Sequence, residues 1–149
     1  MNVFPGLLLS GLLAIGLSAA GSTQSLTPGD AFRDACTLSR YDCTGIRAPM
    51  VRESAYVRYD GFYGVYFGGR TVWLADGLSP EQRYTVLVHE MVHYLQTHAD
   101  ENGPPFVFDV EVCVYEAEAF EVSNQVARRM GLPEVSAEQF NALYRCGAP

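Results

Sequence analysis

Apolar residues follow two spacings along this chain, and each predicts a different element. In residues 80–98 and 109–130 they recur three and four positions apart, the period of an amphipathic helix. Residues 55–59, 62–67 and 71–75 are short runs rich in Tyr, Phe and Val, which read as three strands of a small meander. Asp60-Gly61, between the first two runs, signals a two-residue hairpin turn, because type I′ geometry needs positive φ at both central positions. Gly68-Gly69 offers a second such turn. Residues 30–41 read as a short helix, with Ala31, Phe32, Ala35 and Leu38 near helical spacing. Residues 44–50 read as a loop, broken by Gly45 and Pro49.

The long helices carry their own start and stop signals. Ser79 can cap the first, Pro80 suits its first turn, and Gln82 can reach back as the capping-box partner. Asn102-Gly103-Pro104-Pro105 forbids its continuation, and Gly131 with Pro133 beyond it closes the second. Ser136 caps a last short helix ending near Cys146. The fold expected is α+β, an antiparallel β-meander packed on two long helices.

Residues 1–20 stand apart from that domain. Residues 7–17 form an apolar run broken only by Gly and Ser, too short for a stable bilayer anchor. The run ends in Ser18-Ala19-Ala20, small residues suited to signal-peptidase cleavage before Gly21, although no Lys or Arg precedes it. The expectation is a signal peptide over residues 1–20 and a single domain over 21–149. The chain would be secreted or periplasmic in a bacterium, with no stable membrane insertion after cleavage. Cys36, Cys43, Cys113 and Cys146 are an even set, and in an exported chain that predicts two disulfides. Cys36–Cys43 would close a local loop and Cys113–Cys146 would act as a long-range clamp. The net charge of −7, with all ten basic residues Arg, argues against a nucleic-acid partner, since phosphate binding needs a positive footprint.

The candidate chemistry lies in His89-Glu90-Met91-Val92-His93. On a helix, side chains four apart project from one face a turn apart, so two imidazoles can bind one zinc ion. Glu90 sits beside the first ligand, where a carboxylate can act on the metal-bound water. At about 100° per residue, His89 and His93 share a face with Gln82, Thr85, Val86 and Gln96. Leu87, Met91 and Tyr84 lie opposite, and Val88, Val92 and Leu95 lie on one flank. A helix apolar on two sides is buried, and its polar third side then needs a reason. His98 falls on the far side from His89 and is rejected as a ligand.

Catalytic zinc takes three protein ligands and keeps one position open. The acids of the second long helix are Asp109, Glu111, Glu116, Glu118 and Glu121. By helical angle Glu116 lies among Val112, Cys113, Ala119, Phe120, Ser123, Ala127 and Met130, an inward-looking face. Glu118 lies with Glu111, Glu121, Gln125, Arg128 and Arg129, a solvated face. A buried carboxylate is costly unless paired, and coordination would satisfy it, so Glu116 leads, with Glu118 and Asp109 as alternatives.

With these residues the chain resembles the gluzincin branch of the HExxH zinc metallopeptidases, over residues 71–130. In that branch a Glu on a second helix completes the site, often as Glu-x-x-Ala-Asp. Here Glu116-Ala117-Glu118-Ala119-Phe120 matches the Glu and the Ala but has Phe where the Asp that orients the first His is expected. The metzincin extension is excluded, because Gln96 replaces its Gly and Ala99 its third His. The resemblance implies a zincin-like half-fold, with residues 71–75 as an edge strand aligning a peptide or protein substrate. It also implies Zn²⁺ held by His89, His93 and Glu116, with Glu90 as general base. A downstream oxyanion donor is expected too, for which Tyr115, Tyr144 and Arg145 are open choices. Two other readings are a non-catalytic zinc-containing binding module, and a hydrolase of wall peptides or other amides.

Overall fold

The computed structural model describes residues 26–59, 63–99, 112–144 and 146. The expected signal peptide, the Asp60-Gly61 turn, the breaker at residues 102–105 and the candidate ligand Asp109 lie outside them.

The described residues form five helices and a three-stranded sheet, in the order α1 (Pro28–Leu38), β1 (Met50–Glu53), α2 (Ala55–Tyr59), β2 (Gly64–Tyr66), β3 (Thr71–Leu74), α3 (Pro80–His98), α4 (Val112–Arg129) and α5 (Ala137–Tyr144). The α+β class agrees with the sequence. The sheet differs from the expected antiparallel meander: its order is β1-β3-β2, with β1 parallel and β2 antiparallel to β3.

Two local causes explain the difference. Residues 55–59, read as a strand, form α2 instead. Ser54 starts it, its carbonyl accepting from Val57 N at 3.2 Å and its hydroxyl from Tyr56 N at 3.3 Å. A side chain that captures the backbone of the next residues favours a turn over an extended strand. The vacated place is taken by β1, four residues whose exposure pattern is mostly open and whose sequence signal is correspondingly weak. In consequence residues 71–75 do not supply an edge: β3 is central, and β2 is the edge strand that lies against α3. Gly68 and Gly69 both take positive φ, but Tyr66 pairs with Val72, so β2 and β3 are joined by a longer connection over residues 67–70 rather than by the expected two-residue turn.

α3 is the spine. Its capping box is closed in both directions, Gln82 N to Ser79 Oγ at 3.2 Å and Ser79 N to Gln82 Oε1 at 3.2 Å. Leu87, Val88, Met91, Val92 and Leu95 are buried along it, together with Val72 and Leu74 from β3, Ala31 and Ala35 from α1, and Ala119, Val122 and Val126 from α4. That shared core fixes α4 alongside α3, and the metal-motif face of α3 is left toward α4. Tyr84 Oη donates to Asp34 Oδ2 at 2.7 Å, tying α3 to α1. α4 ends in a Schellman-type turn, with Leu132 N on the Ala127 carbonyl at 2.8 Å and Gly131 at φ 69°.

Both expected disulfides are formed, Cys36–Cys43 with Cα atoms 5.9 Å apart and Cys113–Cys146 with Cα atoms 5.6 Å apart. The second ties α5, which has no fully buried residue, to the start of α4. Among the described residues no helix is long and apolar enough to cross a membrane.

Candidate metal centre

His89 and His93 project from consecutive turns of α3, and Glu116 meets them from α4. The Nε2 atoms of the two rings are 3.1 Å apart. Glu116 Oε2 lies 3.2 Å from His89 Nε2, and Glu116 Oε1 lies 3.4 Å from His93 Nε2. One ligand atom from each residue falls within 4.8 Å of the other two, so the group can hold a metal ion. The helical-angle argument that chose Glu116 therefore places it with both histidines.

Glu118 does not join them, and it is not the solvated residue expected from its helical angle. Its side chain is 20% exposed and is gripped on both oxygens. Tyr41 Oη donates to Oε2 at 2.6 Å and Arg40 Nε to Oε1 at 3.1 Å. Burial, then the hydrogen bond to Glu118, pushes the Tyr41 phenol up to about 12, so it remains a donor. The angular reading treated α4 as buried on one face, but the loop after α1 covers a second. His98, rejected as a ligand, stacks on Tyr94 with centroids 4.1 Å apart, away from the cluster.

Charges are finely balanced in this cluster. Burial raises the Glu90 carboxyl to about 7, with His93 opposing and Glu116 reinforcing the shift. Burial alone would lower His93, but the hydrogen bond to Glu116 and the charge of Glu90 lift it to about 9. Burial holds His89 below its ordinary value. For Glu116 burial acts upward, yet the two rings together hold it well below the usual carboxylate range. His89 Nδ1 and Glu116 Oε2 are buried without a hydrogen-bond partner among the described residues. Thus Oε2 is near His89 but not in hydrogen-bond geometry with it. Two imidazole nitrogens and a carboxylate with an orphaned oxygen fit a divalent metal ion.

Three further residues complete the surroundings. Gly64 of β2 lies so close to Glu90 that a Cβ there would be 2.8 Å from Glu90 Oε1 and 2.7 Å from Val86 Cγ1. Sequence reasoning missed this position; a lone Gly inside a predicted strand was the available signal. Gln96, seen only as a polar residue on the ligand face, holds His93 Nδ1 at 2.7 Å. Of the open choices for an oxyanion donor, Arg145 lies outside the described residues, and Tyr144 on α5 lies in the field of the cluster. Burial, then the charge of Glu116 and a hydrogen bond to it, and finally the charge of Glu90, hold its phenol well above the ordinary value. Of the aromatics in the run 62–67, Tyr66 packs edge-on against Tyr94 while Tyr63 and Phe67 are exposed; Phe62 lies outside the described residues.

Comparison of the chain with family models, with curated proteins and with solved structures gives no match. The metal reading stands on the donor set and its geometry.

Proposed function

We propose that this chain is an exported zinc-dependent hydrolase, a metallopeptidase in which His89, His93 and Glu116 hold the metal and Glu90 is the general base. One observation carries the reading: two Nε2 atoms and a carboxylate converge within 3.1–3.4 Å of one another beside a second, separately buried carboxylate. A binding module with a structural ion would need only the first half of that arrangement. A buried carboxyl raised to about 7 suits proton transfer near neutral pH.

Zinc bound there supplies Lewis acidity and brings the pKa of a coordinated water toward about 7. Glu90 accepts the proton of the attacking water and returns it to the leaving amine. Tyr144, kept protonated, donates to the carbonyl oxygen as negative charge develops on it. β2, the edge strand beside Glu90, aligns an extended substrate by strand addition. The pairing of the motif helix with a ligand-bearing helix beside a small sheet supports reading the fold as a zincin-like half-fold. Two disulfides fit folding in an oxidising compartment, outside the cell or in the periplasm.

The test is metal content together with turnover on a panel of unfolded proteins and wall peptides. The wild-type chain should carry one zinc and cleave a member of the panel. Glu90→Gln should keep the zinc and lose turnover by at least about a thousandfold. Full activity in that variant, or equal zinc content in His93→Ala, would overturn the assignment.

A further inference from the structure

Both amide hydrogens of the Gln96 side chain and its oxygen are engaged. The residue is 3% exposed. Its Nε2 donates to the Tyr115 carbonyl oxygen at 2.9 Å and to Glu118 Oε2 at 3.2 Å. Its Oε1 therefore faces His93 Nδ1, at 2.7 Å. Turning the amide over would set an oxygen against a carbonyl and a carboxylate, two acceptors, which fixes its orientation. An amide oxygen only accepts, so His93 Nδ1 carries the hydrogen. In the neutral ring Nε2 is then a bare lone pair directed at His89 and Glu116.

The support continues outward. Glu118 is held by Tyr41 and Arg40, and both lie inside the loop closed by Cys36–Cys43. Tyr41 is 9% exposed, and its 2.6 Å bond to Glu118 is partly buried. His89 has no side-chain counterpart to this chain of contacts: the Ala119 backbone acts on its ring, but its Nδ1 makes no well-formed hydrogen bond among the described residues.

We propose that Gln96 and Glu118 are positioning residues of the metal centre. The 36–43 loop holds Glu118, Glu118 holds the Gln96 amide, and Gln96 fixes His93 in the tautomer that leaves Nε2 free for the ion. This inference rests on reading the cluster as a metal site. It goes beyond that reading by assigning ligand orientation to a buried amide and an acid that do not touch the metal.

The experiment is a zinc titration of the purified chain against a chromophoric chelator. The variants are Gln96→Glu, Gln96→Met and the exchanged pair Gln96→Glu with Glu118→Gln. Gln96→Glu sets two carboxylates together and removes both donors. Gln96→Met keeps the volume and removes the hydrogen bonds. Each should weaken zinc binding about 10- to 100-fold, as loss of a ligand's outer hydrogen bond usually does. In the exchanged pair the residue 96 carboxylate still accepts from His93, and the residue 118 amide donates to it. Its affinity should rise well above that of Gln96→Glu alone, though short of wild type because the Tyr115 carbonyl still faces a carboxylate oxygen, and a purely structural role would not give that recovery. Wild-type affinity in folded Gln96→Met, or no recovery in a folded exchanged pair, overturns the positioning role alone. A wild-type chain that binds no zinc overturns the metal reading, and the proposal with it.

Discussion

The Phe120 ring meets the His89 imidazole edge-on, with centroids 4.4 Å apart. It occupies the position where the gluzincin pattern carries the Asp that orients the first histidine. The two imidazoles are thus held by different physics. His93 is fixed by a hydrogen bond from Nδ1, whereas His89 is fixed by packing against a ring that itself abuts Phe140 at 5.7 Å and Tyr144 at 5.9 Å. Packing sets the plane of the ring, and among the described residues its hydrogen-bonding help besides the cluster itself is the looser influence of the Ala119 backbone.

Phe120→Ala should therefore act on both stability and metal. Half-burial puts the loss of packing below that of a full core Phe, at about 2–3 kcal/mol. His89 would gain rotamer freedom, and zinc affinity should fall with it. Urea melts with and without zinc measure the two effects. A variant as stable as wild type would show that the aromatic cluster does not hold His89.

Gly64→Ala tests the approach of β2 to Glu90, the proposed general base. Its added Cβ would meet Glu90 Oε1 and Cγ, both at 2.8 Å, so Glu90 or the strand must shift. Glu90 is not a proposed ligand, so zinc content should be unchanged while turnover falls at least about tenfold, the usual order for a misplaced catalytic group. Unaltered turnover would mean that β2 can yield without moving the carboxylate.

Zinc binding should release a proton near neutral pH. In the metal-free chain His93 is raised to about 9 by Glu116 and Glu90, so at pH 7 its ring is charged and must lose a proton to ligate. Apparent affinity should fall about tenfold per pH unit as pH drops through the neutral range, for one displaced proton. The sign for stability is opposite. A raised histidine stabilises the metal-free fold fully below pH 6.5, and that contribution disappears as pH rises through about 9. Calorimetry in buffers of different ionisation enthalpy counts the protons. Affinity independent of pH between 6 and 8 would contradict the raised value.

The metal motif was legible because it is local. His89, Glu90 and His93 lie within one helical turn whose capping signals are also in the sequence, and helical angle alone then singled out Glu116. Glu118 was misread because its partners, Arg40 and Tyr41, are far away in sequence and arrive on a loop that periodicity does not describe. The sheet was misread for a related reason. Residues 55–59 have strand-like composition, yet Ser54 and the lack of a sheet partner decide for α2, while β1 gains its place only by pairing with β3. Gly64 carried a weak signal of close backbone approach, but not what approaches it.

α5 supplies the last prediction. It brings Tyr144 to the cluster with no fully buried residue of its own, so the Cys113–Cys146 bridge is a principal restraint on where that phenol sits. The bridge closes a loop with a sequence separation of 33. In the chain-entropy account, removing a loop of that size costs about 3–4 kcal/mol. Tyr144→Phe removes the proposed oxyanion donor and should lower kcat about 10²- to 10³-fold with KM little changed. Replacing both cysteines by serine should free α5, keep all three metal ligands on α3 and α4, and so retain zinc while losing turnover to a similar degree. The two changes should not add: once α5 is released, Tyr144→Phe has little left to remove, and a double-mutant cycle on kcat measures that directly. Fully multiplicative losses would separate the disulfide from the phenol and leave Tyr144 positioned by the Phe120–Phe140 contacts instead.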